Sequence, residues 1–139
     1  SEAVPPTRTA TTMPRGRGET ILVVEDDADV RRMASMLLEE FGYRVREADS
    51  GGAAMQILEE SGPFDLLLSD VVLPGGVTGQ GLAEFARKHY PELKVLFMSG
   101  YIRDDVAAAE HGDFDAPLLP KPFEPEDLAR SVASLIGEF

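Results

Sequence analysis

The fold is decided by one stretch of the chain, FDLLLSD at residues 64–70, which is followed directly by VVLPGG at residues 71–76. A short apolar run that ends in a turn sequence is typical of a strand covered on both faces of a parallel sheet. Asp70 stands where that strand meets the turn. We therefore expect its carboxylate at the rim of the core, partly removed from water and facing a cleft.

Outward from this strand, apolar strands alternate with helical patterns. The predicted strands are residues 21–24, 43–48, 64–69, 93–98 and 116–119. The predicted helices are residues 30–41 (closed by Gly42), 52–60, 79–90, a weak one at 104–110, and a last one that opens at Pro125. Five strand–helix units predict an α/β fold, a doubly wound parallel sheet with helices on both faces.

Polar side chains that could take part in chemistry follow the predicted strands. They are the acidic run Glu25-Asp26-Asp27, Asp70, Ser99 and Lys121. In open parallel sheets, ligands bind beyond the carboxyl ends of the strands. Since these positions share one edge of the sheet, we expect residues spread from 25 to 121 to form a single site.

Several carboxylates at one place repel one another unless a cation lies between them. Oxygen donors favour a hard divalent ion, and Mg²⁺ suits a site that keeps several waters. We predict Asp26 and Asp70 as direct ligands, Glu25 acting largely through water, and the backbone carbonyl of Val72 as a further ligand. The alternative for the acidic run is capping of the first helix, a role we assign to Asp27.

A carboxylate beside Mg²⁺ can act as a nucleophile towards phosphorus and form an aspartyl phosphate, here on Asp70. Neutralisation of the phosphoryl oxygens would come from the metal, the ammonium of Lys121 and the hydroxyl of Ser99. The alternative for Ser99 is a serine that only forms a turn, and the alternative for Lys121 is a solvated surface lysine. The prolines on both sides of Lys121 favour a fixed backbone that aims its side chain, and we expect the Lys121–Pro122 bond to be cis.

The composition limits the classes of function. A chain of 139 residues with 43% hydrophobic content is the size of one domain, and the lack of cysteine excludes disulfides and thiolate chemistry. The net charge is −12, which disfavours nucleic acid and anionic membranes as partners. No apolar run is long enough to cross a bilayer, so a cytoplasmic location is expected. Residues 1–18, rich in Pro, Thr and Arg, are predicted to be a flexible linker or tail, and residues 19–139 the domain.

These motifs resemble those of the receiver domain of two-component response regulators. The matching segments are ILVVEDD at residues 21–27, Asp70 with Pro74-Gly75, FMSGY at residues 97–101, and KPF at residues 121–123. The resemblance covers roughly residues 19–139. It implies the flavodoxin-like (βα)5 fold with strand order 2-1-3-4-5.

The same resemblance implies a role for each motif residue. Asp70 would be the phosphoacceptor, Asp26 and Glu25 the acidic pair around Mg²⁺, Ser99 the switch hydroxyl and Lys121 the partner of the phosphoryl group. A histidine kinase or histidine phosphotransfer domain would be the donor. Family members often carry Tyr or Phe three residues before the lysine, where this chain has Leu118, so Tyr101 is a candidate substitute in the switch.

The segment Leu119-Pro120-Lys121-Pro122-Phe123 and the Gly75-Gly76 turn look like those of receivers at the C-terminus of hybrid sensor kinases. We therefore expect a phosphorelay module whose only chemistry as an isolated domain is its own Mg²⁺-dependent phosphorylation and dephosphorylation. That expectation leaves room for a parent chain that is itself a histidine kinase. The alternative is a stand-alone single-domain regulator that acts through protein–protein contacts. A phosphatase of the Asp-x-Asp type is disfavoured because Val72 stands where the second acid belongs, and a flavin carrier because acids follow the first strand.

Overall fold

Five parallel strands form one sheet in the order β2-β1-β3-β4-β5 in the computed structural model, which describes residues 16–99 and 117–136. The strands are β1 (Thr20–Val24), β2 (Arg44–Ala48), β3 (Leu66–Asp70), β4 (Lys94–Ser99) and β5 (Leu118–Pro120). The helices are α1 (Ala28–Glu40), α2 (Gly51–Glu60), α3 (Gly79–His89) and α4 (Pro125–Ile136). The predicted fold class and strand order are confirmed. The weak helix predicted at residues 104–110 lies outside the described residues.

Alternate side chains of the central strands point to opposite faces of the sheet and build two cores. On one face, Ile21, Val23, Leu66 and Leu68 pack with α1 and α4. On the other face, residues such as Leu22 and Leu67 pack with α2 and α3. Strands covered in this way have no polar face, which is why their sequences read as continuous apolar runs.

Strands β1 and β2 end where the apolar pattern predicts, whereas β3, β4 and β5 each end one residue later. Asp70 belongs to β3 and pairs with Met98, and Ser99 belongs to β4 and pairs with Pro120 of β5. The parallel ladder continues beyond the last apolar side chain because it is made by backbone groups, which the side-chain pattern does not report. The reactive residues are therefore held by the sheet itself.

The helices begin at polar caps that their sequences provide. The Asp27 carboxylate accepts hydrogen bonds from the backbone N–H groups of Asp29 and Val30, at 2.9 and 3.2 Å. The predicted capping role of Asp27 is thus confirmed. Ser50 and Thr78 cap α2 and α3 in the same way. The helices in the described parts of the chain are too short and too polar to cross a lipid bilayer.

A short segment before β1 packs against the turn between α1 and β2. The backbone N–H groups of Gly16 and Gly18 donate to the carbonyl oxygens of Phe41 and Gly42, at 2.5 and 2.9 Å. Gly42 has a φ of +99°, as a glycine that ends a helix often does. These contacts hold residues 16 and 18 against the domain, and the boundary at residues 18/19 stays a prediction.

Candidate functional site

Glu25 follows β1, and each of its backbone and side-chain polar groups makes a hydrogen bond. Its backbone N–H donates to the carbonyl of Ala48, and its carbonyl accepts from Arg31 Nη1 at 2.9 Å. Its carboxylate accepts from Lys121 Nζ at 2.8 Å and from the backbone N–H of Asp27 at 3.0 Å. Only 1% of Glu25 is exposed. Both carboxylate oxygens of Glu25 thus accept hydrogen bonds from protein donors. The predicted contact of Glu25 with Mg²⁺ through water stays a prediction.

Burial and charge set the pKa of the Glu25 carboxyl. Removal from water raises this pKa above its ordinary value of 4.5, and the nearby charge of Asp70 acts in the same direction. The hydrogen bonds from Lys121 and from the Asp27 backbone oppose the rise without cancelling it. The folded domain therefore holds a proton on Glu25 more readily than the unfolded chain does.

Asp70 ends β3, and its carboxylate bonds to the ammonium of Lys121, as the carboxylate of Glu25 does. The residue is 8% exposed, so it is more buried than the partial removal from water that its sequence position predicts. One carboxylate oxygen accepts from Lys121 Nζ at 3.1 Å, and the other accepts from the backbone N–H of Val72 at 3.3 Å. The direction of this carboxylate is thus fixed from two sides, by the following turn and by the loop after β5.

Lys121 follows β5, and the Lys121–Pro122 bond is cis as predicted. Its backbone N–H donates to the carbonyl of Ser99 at 2.7 Å, which ties the loop to the end of β4. Burial acts to lower the pKa of the ammonium, but the hydrogen bonds to Glu25 and Asp70 outweigh it and hold the pKa above its ordinary value of 10.5. Lys121 is therefore a lasting positive charge between two buried carboxylates.

Three carboxylates lie close enough together to share a cation. Glu25, Asp26 and Asp70 each offer an oxygen, and these oxygens all lie within 4.8 Å of one another. Asp26 is exposed, whereas the other two are buried, so the cluster is open to solvent on one side. An all-oxygen donor set that leaves room for water is the kind that Mg²⁺ prefers. The residues present therefore fit the predicted metal.

Ser99 ends β4 beside the site. The residue is fully buried, and its hydroxyl has no hydrogen-bond partner among residues 16–99 and 117–136. An unpaired buried hydroxyl is costly, since it has lost its bonds to water without replacing them. Such a group at a strand end is free to donate to an incoming oxygen.

The remaining predicted residues have different environments. Val72 is 64% exposed, and its backbone N–H donates to the carboxylate of Asp70. Leu118 is partly buried and packs against the core between the sheet and helices α2 and α3. Tyr101 lies outside the described residues. The roles of Leu118 and Tyr101 in a switch stay predictions.

Two residues near the site were not predicted from the sequence. Arg31, on α1, donates to the backbone carbonyl of Glu25. Gly79 opens α3 so close to the site that a Cβ atom would collide with the carbonyl oxygen of Asp70 and lie 2.9 Å from that of Val71. The only sequence signal for Gly79 is a poor helix former at the first position of a helix, directly after the loop that carries Asp70.

Comparison with known proteins agrees with this arrangement. The model of the response regulator receiver domain family matches residues 21–133. The chain belongs to this family. The site residues from Glu25 to Lys121 all fall within the matched region. Receiver domains are signalling modules of two-component systems.

Two relatives from Brucella abortus are similar over most of the chain. The sensor kinase CckA is 40% identical over 118 residues, which are 84% of this chain but 12% of CckA. The response regulator receiver protein CpdR is 39% identical over 120 residues, which are 84% of this chain and 95% of CpdR. The chain thus spans a small part of one relative and almost all of the other.

A solved structure of the receiver domain from the hybrid histidine kinase CckA is also similar. It has a TM-score of 0.70 and 37% sequence identity, and the match covers 84% of this chain and 98% of that domain. This chain therefore resembles that receiver domain in both backbone structure and sequence.

Proposed function

We propose that this domain accepts a phosphoryl group on Asp70 from a phosphohistidine of a partner protein. The observation that carries the proposal is the position of the Asp70 carboxylate, which is buried, held 3.1 Å from Lys121 Nζ, and grouped with Glu25 and Asp26. A carboxylate placed in this way can attack phosphorus while its neighbours balance the charge.

In the proposed reaction, a carboxylate oxygen of Asp70 forms a bond to phosphorus as the phosphorus–nitrogen bond of the donor breaks. The electron pair of that bond returns to the imidazole nitrogen of the donor. The backbone N–H of Val72 supports the orientation of Asp70, since it donates to the other carboxylate oxygen. The product is an aspartyl phosphate on this chain and a free histidine on the partner.

The charge on the transferred group needs partners within the site. Lys121 would turn its ammonium towards a phosphoryl oxygen, leaving part of its present contact with Asp70. Ser99 would donate its hydroxyl, which has no competing partner in the described parts of the chain. Positioned donors of this kind stabilise charge without reorganisation during the reaction.

Asp26 and Asp70 would hold Mg²⁺ directly, with the Val72 carbonyl as a further ligand and Glu25 through water. When bound, Mg²⁺ supplies positive charge that draws the phosphoryl oxygens towards Asp70 and neutralises them. The fit rests on the three carboxylates whose oxygens lie within 4.8 Å. No other catalytic activity is proposed for the isolated domain.

The proposal includes an origin in a hybrid sensor kinase. It is supported by the likeness to the sensor kinase CckA and to the receiver domain of the hybrid histidine kinase CckA. In that setting a histidine kinase or histidine phosphotransfer domain is the partner. The coding sequence upstream of residue 1 tests this part, since a kinase domain encoded in the same reading frame supports it and a reading frame without one contradicts it.

The function is tested with a small phosphodonor. The purified domain is incubated with acetyl phosphate and Mg²⁺, and its intact mass is measured with and without a chelator. We expect a gain of one phosphoryl group that needs Mg²⁺ and is absent in Asp70→Asn. A wild-type protein that gains no phosphoryl group, from acetyl phosphate or from a phosphorylated histidine protein, contradicts the proposal.

A further inference from the structure

Arg31 links two parts of the chain at the edge of the site. Its Nε atom donates to Glu47 Oε1 of β2 at 3.1 Å, and its Nη1 atom donates to the backbone carbonyl of Glu25 at 2.9 Å. The Arg31 side chain is 19% exposed, and that of Glu47 is 42% exposed. A planar guanidinium with two anchored nitrogens has little freedom to move, so the carbonyl of Glu25 is held in one direction.

The peptide group that Arg31 holds is the one that leads into Asp26. The carbonyl of Glu25 and the N–H of Asp26 belong to the same rigid plane, so fixing one fixes the other. The carboxylate of Asp26 is exposed and has no hydrogen-bond partner in the parts of the chain that the structure describes. Its position therefore depends on the backbone that carries it.

We propose that Arg31 is a positioning residue for Asp26 and thereby sets the affinity of the acidic cluster for Mg²⁺. This inference rests on the proposed function in one respect, since it takes the cluster of Glu25, Asp26 and Asp70 as the metal site. Arg31 does not contact the cation. It acts on a ligand through the peptide bond before that ligand, as partners beyond the ligand shell of a metal commonly do.

The positioning contact of Arg31 would strengthen Mg²⁺ binding, whereas its positive charge would weaken it. The two roles can therefore be separated by experiment. A cation near three carboxylates repels Mg²⁺, so removal of the charge alone should tighten metal binding. Removal of the positioning contact should weaken it. Arg32, the next residue, is exposed and carries the same charge on the same helix, and it provides a matched control.

The experiment measures the dissociation constant for Mg²⁺ by isothermal titration calorimetry in wild type, Arg31→Gln, Arg31→Lys and Arg32→Gln. We expect both Arg31 variants to bind Mg²⁺ about tenfold more weakly than wild type. Lysine keeps the charge but lacks the fork that spans the two acceptors, and it serves as the second variant if Arg31→Gln folds poorly. Arg32→Gln should bind as wild type does, or slightly more tightly.

A purely structural role gives a different result. In that case the Arg31 variants unfold at lower urea concentration, while the folded protein binds Mg²⁺ with unchanged affinity. An Mg²⁺ affinity of Arg31→Gln equal to that of Arg32→Gln overturns the inference. The proposed function fails separately, when wild type binds Mg²⁺ and Asp70 still accepts no phosphoryl group.

Discussion

The side-chain nitrogen of Lys121 lies 3.1 Å from a carboxylate oxygen of Asp70, although the two residues are 51 positions apart in the chain. The same nitrogen lies 2.8 Å from the carboxylate of Glu25. One cation from the loop after β5 thus balances two buried anions from the ends of β1 and β3. This relationship makes the site sensitive to changes in charge at any of the three residues.

Loss of the Lys121 charge should destabilise the domain. In Lys121→Met, two largely buried carboxylates lose their positive partner, and we expect the free energy of unfolding in urea to fall by about 3 kcal/mol at neutral pH. Mg²⁺ should stabilise the variant more than wild type, because it replaces the lost charge. Lys88→Met, at an exposed lysine in the last turn of α3, is the control and should have little effect. Equal losses in the two variants would contradict this account.

The raised pKa of Glu25 gives stability a particular pH dependence. The folded state binds the Glu25 proton more readily than the unfolded state, so this residue lowers stability as pH rises from the ordinary value of 4.5 through the raised folded value. Glu25→Gln cannot titrate. We expect the unfolding free energy of wild type, relative to this variant and without Mg²⁺, to fall as the pH rises above 4.5. A difference that is constant or rises over this range would exclude the raised pKa.

The hydroxyl of Ser99 should matter for chemistry and not for stability. Ser99→Ala removes a buried group with no described partner, so we expect its unfolding free energy to stay within about 1 kcal/mol of wild type. A lost hydrogen bond to a charged oxygen should slow phosphorylation by acetyl phosphate about tenfold.

Ser35 on α1 provides the matched control for that experiment. Ser35 is 4% exposed, and its hydroxyl also has no hydrogen-bond partner in the described parts of the chain. Unlike Ser99, it does not stand at a strand end. Ser35→Ala should leave the phosphorylation rate unchanged. Similar rates in Ser99→Ala and Ser35→Ala would show that the Ser99 hydroxyl does not take part.

The close approach of Gly79 to the backbone of Asp70 should make this position intolerant of a side chain. In Gly79→Ala the new methyl group meets backbone carbonyls of β3 and its turn, which cannot move aside as a flexible side chain would. We expect a loss of about 2 kcal/mol in unfolding free energy and slower phosphorylation. Gly52→Ala is the control, since a Cβ there meets nothing within 4 Å and alanine favours the helix. Two variants of equal stability would refute the prediction.

Much of the fold could be predicted because both faces of the sheet are covered. The strands that contain Ile21 and Leu67 lie at the centre of the sheet, so most of their side chains are apolar and the pattern is unambiguous. The ends of strands were less certain. Asp70 and Ser99 belong to their strands because backbone ladders continue past the last apolar residue.

The candidate site could be predicted only where strand topology alone decides. Residues that follow parallel strands must meet at one edge, so Glu25, Asp70 and Lys121 come together whatever the details of packing. Arg31 and Gly79 could not be predicted, since their contacts depend on how α1 and α3 are turned against the sheet. A helix pattern reports which face is apolar and leaves the reach of a polar side chain undetermined.

Every role proposed for the site depends on Asp70 as the residue that accepts the phosphoryl group. The most direct measurement treats the phosphorylated domain with borohydride, which reduces an aspartyl phosphate to homoserine, and locates the change by tandem mass spectrometry of peptides. We expect homoserine at position 70 in a reaction that needs Mg²⁺ and phosphodonor. Homoserine at Asp26 or another acidic residue, or none at all in a protein that binds Mg²⁺, would contradict phosphorylation at Asp70.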